Sequence, residues 1–111
     1  MNEYTEGTWK AKQTQDKLIE ISTDDYFICF LSWADEKHEK EQKANAQLIA
    51  AAPDLLEAAE EILQNIQKLL LAISENEVTI DEIEYLLDNE YKDVLQPAIA
   101  KAKGDTDAAI R

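Results

Sequence analysis

Between Leu55 and Ile73 the residues Leu55, Ala59, Ile62, Ile66, Leu69 and Ile73 recur at a spacing of 4-3-4-3-4. That rhythm stacks them on one side of an α-helix, because residues three and four apart share a face. A second row, Leu56, Leu63 and Leu70, runs beside the first at intervals of seven. Together they make an apolar stripe wider than a two-stranded seam requires. A helix of this kind must bury more than one flank, against a sheet, another helix or a second subunit. Its start is marked by Pro53, which disfavours helical geometry at Ala52 but is tolerated in a first turn. Asp54 follows, where the helix dipole favours a carboxylate. The predicted helix covers 54–73, after a break or sharp kink at Ala51-Ala52-Pro53.

Upstream, residues 8–33 carry strand signals. Thr8 to Lys12 alternates larger and more polar side chains. Lys17 to Ser22 is a second candidate strand, and Tyr26 to Leu31 is an aromatic and β-branched run. Gln13 to Asp16 and Thr23-Asp24-Asp25 separate them, the latter through Asp side chains that bond back to nearby backbone. The third run is apolar on both faces, which predicts the best-covered strand of a small meander. Trp9, Tyr26, Phe27, Phe30 and Trp33 read as the core of that sheet, with Trp33 the most exposed. An exposed aromatic patch is the alternative. Cys29, the single cysteine, reads as a small buried hydrophobe.

Residues 34–52 read as a helix whose first half is solvated. Ser32 and Asp35 form a capping-box-like start, and Glu36–Lys40 and Glu39–Lys43 are i,i+4 pairs in the favourable order. From Ala44 the pattern turns apolar, with Leu48 and Ile49 as its large residues and alanines that admit a close neighbour. After a linker at Ser74 to Glu77, Thr79 and Glu82 form a second capping box. A helix over 79–103 then lines Ile80, Ile83, Leu87, Tyr91 and Val94 on one face. Pro97 should kink it or divide it after Gln96. Gly104 is a natural C-cap behind Lys101 and Lys103, and 105–111 read as a frayed tail. The chain is thus expected to be one α+β domain. A short N-terminal antiparallel meander packs on two to three helices, the two longest forming an antiparallel hairpin.

The chain carries 24 acidic and 11 basic side chains, a formal charge of −13. This balance argues against direct nucleic-acid binding, which needs clustered Lys and Arg to displace counterions. It also disfavours an anionic membrane surface. No run reaches the roughly 18 apolar residues of a membrane helix, and the polar, acidic residues 1–6 are unlike a signal peptide.

The charge is concentrated. Residues 75–104 hold 8 acidic and 3 basic side chains. Glu77, Asp81, Glu84 and Asp88 are spaced 4, 3 and 4, so a helix would gather them on one side, and Glu57, Glu60 and Glu61 do something similar on the preceding helix. Such carboxylates can imitate phosphate spacing and occupy a basic cleft on a partner protein. They also serve as an ordinary solvated face. No catalytic or metal-binding pattern accompanies them. His38 and Cys29 are too few for a zinc site. The serines Ser22, Ser32 and Ser74 lack a nucleophile-elbow context, and with only Gly7 and Gly104 there is no phosphate-cradling loop. The expectation is a protein that is not an enzyme and needs no cofactor or metal.

The run Ala44-Asn45-Ala46-Gln47-Leu48-Ile49-Ala50-Ala51-Ala52-Pro53-Asp54-Leu55-Leu56-Glu57-Ala58 resembles one found in short phage and prophage proteins of mostly unknown function. In those proteins it often follows a strand region with a Gly-x-Trp or Gly-Pro-Trp element, and Gly7-Thr8-Trp9 stands in that place. The resemblance covers about half the chain. It suggests a phage origin, and with the polar residues 1–6 and no membrane run the expected compartment is the cytoplasm of a bacterial host cell. Combined with the charge, it suggests binding, and inhibition, of a host protein with a basic surface, in defence or nucleic-acid-handling machinery. The expected assembly is a homodimer or higher homo-oligomer with Leu56, Leu63 and Leu70 at the interface. Two alternatives stand beside it. One is an oligomeric sponge for a small signalling nucleotide, lined by lysines such as Lys10, Lys12 and Lys17. The other is a structural protein that only oligomerises.

Overall fold

The computed structural model describes residues 3–14, 18–32 and 38–104. Three strands, β1 (Lys10–Gln13), β2 (Ile19–Ser22) and β3 (Phe27–Leu31), form an antiparallel sheet in the order β1-β2-β3. The helices are α1 (Glu39–Ala50), α2 (Ala52–Ser74), α3 (Ile80–Asn89) and α4 (Gln96–Lys103), with a π-helical turn over Glu90–Leu95 between the last two. The fold class is α+β, as the alternating and helical patterns predict. The chain divides into two compact units, residues 1–53 with 100–111, and residues 54–99.

In the first unit the sheet lies under α1. Register pairs Ala11 with Ile21, Ile21 with Cys29 and Ile19 with Leu31, so these side chains share one face. Ile19 and Ile21 have no exposed surface and cluster with Ala46 and Ala50 of α1. Trp9, Ala11, Ile28, Cys29 and Leu31 pack around them. Trp9 is oriented by its Nε1–H, which donates to the Thr5 carbonyl at 2.9 Å, and by an edge-on contact with Tyr4.

Three expectations change here. The best-covered strand is β2, not β3. The middle strand of three is paired on both sides, and its two isoleucines sit under the helix, whereas β3 is an edge. Second, the residues of α1 in this core are alanines, while Leu48 and Ile49 are exposed. The smallest side chains let helix and sheet approach closely enough to cover the isoleucines. Third, Phe27 and Phe30 are 56% and 50% exposed, and Tyr26 is exposed with them. The cause is a bulge. Ser22 pairs with Phe27 but the adjacent Ile21 pairs with Cys29, leaving Ile28 as an extra residue. The bulge shifts strand parity by one. Ile28 and Cys29 both turn to the core, and Phe27 and Phe30 both turn outward, where their rings meet at 4.8 Å.

The turn between β2 and β3 is also built differently from the Asp-based expectation. Thr23 Oγ1 accepts hydrogen bonds from the amides of Asp25 and Tyr26, at 3.2 and 2.9 Å. Asp24 is left to pair with Lys10 across the sheet.

In the second unit α2 is the longest element, at 23 residues. The chain breaks at Ala51, so Pro53 is the second residue of α2 rather than its first. The helix ends in a Schellman motif. Asn76 takes the left-handed conformation at φ 54, its amide donates to Ile73 O, and that of Glu77 donates to Ala72 O. Asn tolerates this geometry second only to Gly. Thr79 Oγ1 then accepts from the Glu82 amide at 3.2 Å and starts α3. The chain has reversed, and Asn65 of α2 donates a hydrogen bond to Glu90 beyond α3.

The interruption of the last helix lies ahead of Pro97 rather than at it. The amide of Gln96 reaches back five residues to Tyr91 O. Pro97 has no N–H, and its ring would press on the Asp93 carbonyl in a regular helix. The wider turn precedes that conflict and lets α4 begin afresh. At its end Gly104, at φ 77, closes the helix as predicted. The expected pair Glu39–Lys43 is present at 3.6 Å. Trp33, Asp35, Glu36, Lys17 and the tail 105–111 lie outside the described residues.

Candidate functional site

Asp81, Glu84 and Asp88 all project from α3 and are exposed. Their spacing of three and four places them along one side of the helix. Tyr85 sits among them, 67% exposed, one turn from Asp81 and from Asp88. Asp88 is paired with Lys92 at 3.3 Å, an exposed contact that holds the carboxylate loosely. The fourth expected member behaves differently. Glu77 precedes the cap at Thr79, so the helical phase that would have aligned it with Asp81 has not begun. It lines the groove between α2 and α3 instead. Glu57, Glu60 and Glu61 are exposed on α2.

That groove has a volume of about 410 Å³. Ile66, Leu69, Ala72, Val78, Leu86 and Leu87 supply its apolar walls, and Glu77, Glu82, Glu90 and Lys68 its charges. Asn65 and Glu90, joined by a hydrogen bond, also line it. The remaining Glu90 oxygen, Oε2, is buried with no hydrogen-bond partner. Three carboxylates against one ammonium make the groove hostile to a phosphorylated ligand.

Leu56, Leu63 and Leu70 are exposed, Leu63 at 57% and Leu70 at 61%. The buried apolar residues of the second unit are small, Ala58 and Ala98. The helical unit therefore shows water most of the large side chains that its sequence pattern marks as core.

On the first unit, the outward face of the sheet carries Lys10, Lys12, Glu20, Ser22, Phe27 and Phe30 by register. Ser22 Oγ donates to Glu20 at 3.1 Å. Lys10 Nζ lies 2.8 Å from Asp24 Oδ1. The hydrogen bond from Lys10 and its charge, helped by Lys12, hold the Asp24 carboxyl below its ordinary value of 3.8. One of the lysines expected to line a nucleotide site is thus already engaged. The exposed pair Phe27 and Phe30 follows the alternative reading of the aromatics rather than the core reading. Its signal was the lack of period-two alternation from Tyr26 to Leu31, which reads as burial on both faces until a bulge is allowed.

Among the described residues no three His, Cys, Asp or Glu side chains group closely enough to hold a metal ion. No helix among them is long and apolar enough to cross a membrane.

The family model of Salmonella phage P22 protein Y8K6 matches residues 1–106 of the chain. The match spans both compact units, well beyond the stretch that first suggested a phage relationship. No curated protein and no solved structure matches the chain.

Proposed function

Because the chain belongs to the family of Salmonella phage P22 protein Y8K6, we propose that it is a phage accessory protein that acts by binding a basic host protein, without catalysis. The binding surface is the α3 face formed by Asp81, Glu84 and Asp88 around Tyr85. The observation that carries this reading is the exposed tyrosine set among three carboxylates on one helical side. The ring gives this face an aromatic centre with a polar rim, a common anatomy of protein interfaces. Charge on the rim speeds encounter with a partner of opposite sign and makes binding depend on salt. The effect proposed for this binding is inhibition of a host defence or nucleic-acid-handling protein, in the host cytoplasm.

The nucleotide-sponge alternative is less well supported. The groove is acidic, and Lys10 is committed to Asp24. The alternative of a protein that only oligomerises draws on the exposed leucines of α2, and it gives the α3 face no role.

The test is a pull-down from bacterial lysate at low and high salt, using the wild type and the triple variant Asp81→Lys, Glu84→Lys, Asp88→Lys. The expected result is a basic protein retained at low salt, released at high salt and lost by the variant while its helicity is unchanged. Retention by the correctly folded variant at wild-type level would overturn the acidic-face reading.

A further inference from the structure

Burial along α2 separates two rows that the sequence superimposes. Leu55, Ala58, Ile62, Asn65, Leu69 and Ala72 are each half-buried or buried. One residue further on, Leu56, Ala59, Leu63, Ile66, Leu70 and Ile73 are each exposed. Both rows keep a 3-4-3-4-3 spacing. The inner row is the one the chain covers itself. The outer row has the period of a coiled-coil seam along five helical turns, with Leu repeating at one position and Ala or Ile at the other.

We infer that the outer row of α2 is covered by the same row of a second copy, packed antiparallel about a two-fold axis near Asn65. Three observations on α2 select this occupant. The first is area. The exposed surface of Leu56, Ala59, Leu63, Ile66, Leu70 and Ile73 amounts to roughly 500 Å² per copy, so two copies supply about 1,000 Å², most of the ~1,200 Å² at which specific interfaces begin. The second is shape. An antiparallel register centred on the row sets Leu56 against Ile73, Ala59 against Leu70 and Leu63 against Ile66. The one small residue then faces a large one, whereas a parallel register would set Ala59 against Ala59 and leave a void. The third is charge. The first half of α2 carries Asp54, Glu57, Glu60 and Glu61, and the second half carries only Lys68. Parallel pairing would bring eight carboxylates to one end. Antiparallel pairing separates the two acidic halves and opposes the helix dipoles.

This inference does not depend on the host-partner reading, since it uses α2 and not the α3 face. Sedimentation equilibrium of the full chain is expected to give twice the 12.6 kDa monomer mass. Leu63→Glu and Leu70→Glu each place a carboxylate in the seam and should weaken the dimer by ~30-fold or more. Orientation is read by crosslinking in a Cys29→Ala background with a short bis-maleimide. Mixed Ala59→Cys and Leu70→Cys chains should couple to each other, while Ala59→Cys alone should not couple to itself, because its two copies lie about 16 Å apart along the axis. A monomeric wild type, a trimer or tetramer, or efficient self-coupling of Ala59→Cys would overturn the inference. The wild-type mass keeps the test decisive if a substituted chain fails to fold.

Discussion

Phe27 and Phe30 touch ring to ring although they are three residues apart on one strand. A regular strand would send them to opposite faces. The extra residue at Ile28 makes the contact possible, and it also turns Ile28 and Cys29 together into the core. A single bulge therefore decides both what the sheet buries and what it displays.

The two faces of the sheet should differ sharply in their tolerance of truncation. Ile21→Ala removes a side chain with no exposed surface and is expected to cost about 2–5 kcal/mol. Phe30→Ala removes a half-exposed ring and loses mainly its partner Phe27, at about 1 kcal/mol. Urea denaturation of the two variants, followed by tryptophan emission, measures the difference. Equal costs would mean that the outward face is covered in solution.

Thr79 is the start signal of α3. Thr79→Ala leaves the Glu82 amide without its side-chain acceptor and should cost about 1 kcal/mol. Thr79→Ser should recover most of it, since the hydroxyl is what the amide uses. Amide exchange at Glu82 and Ile83 reads the local effect.

Asn65 and Glu90 tie α2 to the turn beyond α3. Asn65→Ala would strip Glu90 of that donor when its other oxygen already lacks a partner. The expected loss is about 1–3 kcal/mol. It should appear as faster amide exchange from Glu90 to Leu95, with the sheet unaffected.

Asp24 should titrate below 3.8 in the folded protein, followed by NMR of its carboxyl carbon. Because folding lowers its pKa, its contribution to stability is present above the unfolded value and fades as pH falls through the folded one. Lys10→Met should return the midpoint toward 3.8. The pair is exposed, so salt should weaken it and global stability should change little.

Much of this fold is legible in the residues because local chemistry and tertiary packing agree. Pro53, Thr79 and Gly104 mark helix ends within a residue of where they occur, each through a backbone preference that needs no distant partner. The meander is legible for the same reason. What is not legible depends on contacts between elements. Ala46 and Ala50 displace Leu48 and Ile49 from the core because a sheet lies against them. Glu77 leaves the acidic row because the Schellman motif at Asn76 resets the helical phase. Tyr85 is absent from a purely charge-based reading of α3, since neither the carboxylate spacing nor the apolar face includes it.

The π-helical turn over Glu90–Leu95 has a consequence for how chains of this kind can vary. One residue there is already looped out of the α-helical ladder. In a chain with another residue in place of Pro97, deleting a residue between Glu90 and Leu95 would restore the ordinary winding and still deliver Ala98 to its buried position, whereas a deletion within α3 would rotate every later side chain by about 100°. Length differences among related chains are therefore expected to collect in this stretch, as single gaps in an otherwise unbroken helical segment.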